Sequence, residues 1–87
     1  MYEILISPAA EKDYKKIPAK EIERINNTID SLAGNPRPAG YKKLKGRNAY
    51  RVRTGNYRII YEIEEKSLHV FVIRIRDRKE VYRNLPR

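Results

Sequence analysis

Between Tyr50 and Ile63 the chain alternates apolar and polar residues, and Gly55-Asn56 falls inside the run. Tyr50, Val52, Tyr57, Ile59, Tyr61 and Ile63 stand at period two, the spacing of strands with one buried face. A Gly-Asn pair between two such runs signals a two-residue primed turn. With that pair as the loop, Thr54 faces Tyr57, Arg53 faces Arg58, Val52 faces Ile59, Arg51 faces Ile60 and Tyr50 faces Tyr61. One face of the hairpin then carries Tyr, Val and Ile, while the other gathers Arg51, Arg53 and Arg58. A slip of one residue would bury the arginines and expose the tyrosines. Like charges directly opposite one another destabilise a sheet. The cluster therefore points to an anion brought from outside, and phosphate is the leading chemistry.

The wider charge pattern agrees. Residues 31 to 61 carry eight basic side chains and no acidic one, against a formal net charge of +9 for all 87 residues. A block of this kind fits nucleic acid or an acidic protein partner; the bland alternative is a solvated surface that only keeps the chain in solution. With no cysteine, disulfides and thiolate metal sites are excluded. No P-loop, zinc or catalytic-triad signature is present. The opening Met1 to Ser7 has neither a basic leader nor a long apolar run, so a soluble cytoplasmic protein is expected. The length allows one domain, residues 1 to 87.

Tyr2 to Ile6 reads as a short strand, ended by Ser7-Pro8, a helix cap followed by a residue suited to the first turn. A first helix is predicted from Pro8 to Ile17, with Pro18 ending it. A second runs from Ala19 to Ala33, with Ile22, Ile25, Ile29 and Leu32 forming one apolar stripe and Gly34 placed as its C-terminal cap. Arg37 to Gly46 reads as a basic connection. After the hairpin, a turn at Glu65-Lys66 leads into a last strand from Leu68 to Ile75. Leu68, Val70 and Val72 then face the core, and His69, Phe71 and Ile73 share the arginine face. The expected fold is α+β: two N-terminal helices on one face of a mostly antiparallel four-stranded sheet, in the order β-α-α-β-β-β, with the arginines on the open face.

That order, the segment Lys43-Leu44-Lys45-Gly46, the hairpin Tyr50 to Tyr61 and the closing Arg78-Lys79-Glu80-Val81-Tyr82-Arg83 together resemble the RelE/ParE superfamily of bacterial and archaeal toxins, the RelE branch in particular. The resemblance implies a toxin of a type II toxin-antitoxin module, held inactive in a hetero-oligomer with a RelB-like antitoxin. It further implies an endoribonuclease that works on mRNA in the ribosomal A site with no metal or other cofactor. The family's catalytic positions fall on Arg51, Arg53, Arg58, Arg78 and Tyr82, the last stacking on a base. RNA contacts fall on Lys42, Lys43, Lys45, Arg47 and Arg83.

One departure concerns the chemistry. The best-known members have lysines where this chain has Arg51 and Arg53, and a guanidinium is effectively never deprotonated. Neither arginine supplies a base, so the 2′-hydroxyl proton is left to solvent or to another group such as His69 or Lys45. Two other functions remain open on the same face: a ParE-like inhibitor of DNA gyrase and a non-catalytic RNA-binding module. Tyr82 also reads as a packing residue, and Arg83 as a charge that aids solubility.

Overall fold

A computed structural model describes residues 1–46 and 48–78. Its elements are β1 (Glu3–Ile6), α1 (Pro8–Tyr14), α2 (Ala19–Ser31), β2 (Lys42–Lys43), β3 (Tyr50–Thr54), β4 (Tyr57–Glu64) and β5 (His69–Asp77). The strands form one sheet in the order β1-β5-β4-β3-β2. β1 runs parallel to β5 and every other neighbouring pair is antiparallel. Among the described residues five strands replace the four expected, because the basic connection contains β2, which pairs Lys42 with Arg51 and Lys43 with Tyr50. A two-residue strand leaves no periodicity to read.

The core lies between the helices and one face of the sheet. Ala10 of α1 and Ile25, Ile29 and Leu32 around α2 pack with Val52, Tyr57, Ile59, Tyr61, Ile63, Val70, Val72 and Ile75. Ser7 caps α1 by accepting from the Ala10 N–H at 3.0 Å, and Pro8 occupies the first turn. Both helices are shorter than expected and end alike, in tightened turns whose N–H groups reach back three residues, at Lys15 to Ile17 and at Leu32 to Gly34. Gly34 is not the left-handed cap expected of it: positive φ among glycines is confined to Gly40, Gly46 and Gly55 within the described residues. Instead the Ala33 carbonyl, one of the groups a helix end leaves over, accepts from the Tyr2 N–H at 2.8 Å.

The hairpin register is the one read from the sequence, pair for pair. Gly55 alone of the turn residues has positive φ, at 61°, as a turn of type II′ requires at its first central position. The β4–β5 connection differs. Glu64 pairs with His69, leaving a four-residue loop in which Leu68 adopts φ 57° and stands 46% exposed rather than in the core. Glu-Lys has no inexpensive access to a primed turn, so the loop takes two more residues. A shift of two preserves parity, which keeps Val70 and Val72 buried.

Parity then changes within β5. Tyr61 pairs with Val72 but Ile60 pairs with Arg74, so Ile73 is the extra residue of a bulge. Beyond it Ile75 turns into the core, and Arg74 and Arg76 come to lie opposite Ile60 and Arg58. Ile73 thus leaves the strict alternation that was to place it on the arginine face. Groups from the N-terminal segment hold the irregularity. Ser7 Oγ donates to the Ile73 carbonyl at 2.7 Å, and Asp13 Oδ2 accepts from the Ile75 N–H and from Arg74 Nε, each at 2.9 Å. Among the described residues no helix is long and apolar enough to cross a membrane.

Burial by itself would raise the Asp13 carboxyl. Hydrogen bonds from Arg74 and the Ile75 N–H, with the charges of Arg74 and Arg76, outweigh it and hold the carboxyl below its ordinary value. A lowered folded-state value contributes stability that is present above the unfolded value of about 4 and is lost as pH falls through the folded one. Asp13→Asn should cost roughly 2 kcal/mol near neutral pH. In urea denaturation that gap should narrow as the pH is taken below about 4; a gap constant down to acid pH would refute the linkage.

Candidate nucleic-acid interface

The open face of the sheet is cationic at one end. Reading across the strands, one row runs Lys42, Arg51, Ile60, Arg74, and the next runs Arg53, Arg58, Arg76. Arg53 is exposed, and Arg51, Arg58 and Arg76 are half-buried. Burial, followed by repulsion from Arg53 and Arg58, lowers the Arg51 guanidinium from its usual value. Arg51 thus lies within reach of both neighbouring charges.

Arg78 joins this group from the end of β5. Its N–H donates to the Asn56 carbonyl at 2.8 Å, stitching the chain to the hairpin turn. Arg78 lines a small cleft with Arg53, Tyr57, Arg58 and the turn residues Gly55 and Asn56. The turn is also seated on α2: a Cβ added at Gly55 would lie 2.8 Å from Arg24 Nη1. The backbone beneath the cluster is thus fixed from two sides.

The predicted basic residues divide. Lys42 stands opposite Arg51 and extends the arginine face, whereas its neighbour Lys43 pairs with Tyr50 and faces the helix side. Lys45 is exposed in the connection closed by the Leu44 N–H to the Ala49 carbonyl at 2.8 Å. Arg47, Tyr82 and Arg83 lie outside the described residues. Arg76 is the member that sequence reasoning missed. A straight strand places residue 76 on the core side, and only the bulge at Ile73 brings it opposite Arg58.

His69 does not belong to this cluster. It pairs with Glu64 at the far end of β5 from the Arg58–Arg76 pair, about 20 Å away at the rise of a strand. Its ring nitrogens contact Glu3 Oε1 at 3.3 Å and Ser67 Oγ at 2.7 Å, and the ring stacks on Phe71 with centroids 5.8 Å apart. What the arginine end offers is several guanidinium groups converging on one strip of sheet, a geometry suited to binding phosphate and to stabilising charge that develops on it.

The family model of the ParE toxin of type II toxin-antitoxin systems matches residues 4–82. Two toxins of Methanocaldococcus jannaschii are similar along most of their length. Putative toxin RelE1 is 31% identical, covering 84% of this chain and 86% of its own, and toxin RelE3 is 32% identical, covering 95% and 98%. Among solved structures, the RelE-RelB complex of Pyrococcus horikoshii aligns with a TM-score of 0.79 at 26% identity, over 88% of this chain and 94% of that one. The RelB-RelE antitoxin-toxin complex of Methanococcus jannaschii aligns with a TM-score of 0.72 at 31% identity, over 94% and 99%. The fold is that of a RelE/ParE-type toxin. The chain belongs to the ParE toxin family of type II toxin-antitoxin systems.

If the arginines repel one another in the unliganded protein, removing one should help folding. Arg58→Gln should raise stability by up to about 1 kcal/mol at low salt. The gain should fade toward about 0.5 M salt as screening shortens the range of the repulsion. Urea denaturation at two ionic strengths measures it, and a destabilised variant at low salt would contradict the repulsion.

Proposed function

We propose that this chain is a ribosome-dependent mRNA endonuclease, and that Arg51, Arg53, Arg58 and Arg78 grip the scissile phosphate. The observation that carries the reading is the cross-strand pair Arg53–Arg58 with Arg78 stitched beside it, a concentration of charge suited to phosphate. The RelE names of its relatives support it. In the reaction the ribose 2′-oxygen attacks the adjacent phosphorus and the bond from phosphorus to the 5′-oxygen breaks. The products are a 2′,3′-cyclic phosphate and a 5′-hydroxyl. The 2′-hydroxyl proton passes to solvent, and the leaving oxygen takes one up. The guanidinium groups serve the phosphorane charge, a contribution in which removal of one donor costs about 100- to 1000-fold in rate.

Lys42 extends the grip along the RNA backbone, and Lys43, Lys45, Arg47 and Arg83 hold RNA outside the cleavage point. Tyr82 stacks on a base beside the scissile phosphate. The regulating partner is an antitoxin like the RelB of the structural relatives. Its acidic side chains would meet the arginine end, and its apolar ones would cover Leu5 and Phe71, which pair across β1 and β5 and are each 38% exposed.

Purified protein incubated with programmed ribosomes should cleave the mRNA at positions mapped by primer extension. Arg58→Ala should reduce cleavage at least about 100-fold while co-sedimentation with ribosomes changes little. Intact mRNA in the presence of folded wild-type protein would defeat the proposal. Equal loss of cleavage and ribosome binding would favour an RNA-binding module, and inhibition of gyrase supercoiling with no cleavage would favour the gyrase reading.

A further inference from the structure

On the helix side of the sheet, at the β2–β3 edge, a second surface is built around tyrosines, with the exposed Lys43 beside them. Tyr41, Tyr50 and Tyr61 form a ladder with ring centroids 6.0 and 5.9 Å apart. The inner end is fixed: Tyr61 is fully buried and its hydroxyl donates to the Pro36 carbonyl at 2.7 Å. The outer end is open, with Tyr41 38% exposed. Arg37 lies over the Tyr50 ring, 5.6 Å from its centroid. Lys43, exposed, pairs with Tyr50 across the strands and so stands on this same side.

The ladder is held in place before any ligand arrives. Glu65 accepts from Arg37 Nη2 at 2.7 Å and from the Tyr2 hydroxyl at 2.6 Å, which ties the loop after α2 to the N-terminal segment and to the β4–β5 turn. Those hydrogen bonds, Tyr2 first and Arg37 second, hold the Glu65 carboxyl below its ordinary value, so this carboxylate stays occupied with its own partners. Tyr41 is aimed by a turn in which its N–H donates to the Pro38 carbonyl at 3.1 Å, with Gly40 at φ 85° in the third position. That angle is the one a type II turn demands there.

We propose that Tyr41 is a stacking platform for a base of single-stranded RNA, with Lys43 holding the adjoining phosphate. Aromatic rings interleaved with cations are the recurrent solution for single strands, because every base has a π-face and the backbone supplies charge. The absence of any acidic residue from 31 to 61 favours a polyanion. An exposed ring whose other side rests on an ordered neighbour loses little freedom on stacking. The surface is on the opposite side of the sheet from the arginines, so it adds a contact that cleavage does not need.

The probe is a 2′-O-methylated oligomer of about ten nucleotides, which no 2′-hydroxyl chemistry can cut, so binding is read independently of the proposed nuclease activity. By fluorescence anisotropy, Tyr41→Ala should weaken binding roughly tenfold, while Tyr41→Phe stays within about twofold of wild type, since it keeps the aromatic ring that does the stacking. The Tyr41→Ala loss should vanish with an oligomer of the same length lacking bases. Lys43→Gln should flatten the dependence of log affinity on log salt by about 0.7. Unchanged binding by Tyr41→Ala, or an equal loss on the abasic oligomer, would overturn the platform. If poly-glutamate displaced the oligomer from wild type but not from Tyr41→Ala, the surface would belong to an acidic protein and the RNA assignment would fall.

Discussion

The single extra residue at Ile73 decides what the last strand does. The segment Val70 to Arg76 contains two stretches of opposite parity: Val70 and Val72 belong inside, but so does Ile75. A regular strand would satisfy one stretch and bury Arg74 and Arg76 with the other. The bulge lets both be satisfied, and it opens backbone groups that the ladder no longer pairs. Ser7 and Asp13 take up two of them, the Ile73 carbonyl and the Ile75 N–H. Because β1 ends at Ile6, opposite Val72, these two residues also finish the edge of β5 where its parallel neighbour stops. The burial of Ile75 and the place of Arg76 opposite Arg58 are therefore consequences of the same local irregularity.

The charged face then has a definite composition. Its cross-strand pairs combine like charges, a combination that secondary structure alone would disfavour. The repulsion is tolerated because the hairpin is anchored from the other side by Val52, Tyr57, Ile59 and Tyr61, all buried. Guanidinium groups suit planar, bidentate recognition of phosphate and remain charged while doing so. His69, bound to Glu3 and Ser67 and stacked on Phe71, stands at the other end of the sheet.

The parts legible in the sequence were those set by neighbours a few residues apart. Gly55-Asn56 and the alternation around it determine the hairpin, and Ser7-Pro8 the start of α1, because turn and cap geometry are local. The bulge was hidden because the groups that hold it, Ser7 and Asp13, lie more than sixty residues away. With it went the position of Arg76. β2 was hidden by its length, and Leu68 by a loop whose size depends on what Glu65-Lys66 cannot do. The division of Lys42 from Lys43 needed β2 to exist before it had meaning.

β2 carries a consequence beyond its place at the rim. Sheets end in strands with unpaired backbone groups, and such edges invite a second copy to continue the ladder. Here that edge is two residues long, and both are exposed lysines. Two molecules approaching through this strand would bring four ammonium groups together across a ladder too short to compensate for them. The charge that makes one face of this protein cationic thus also keeps it from polymerising along this border.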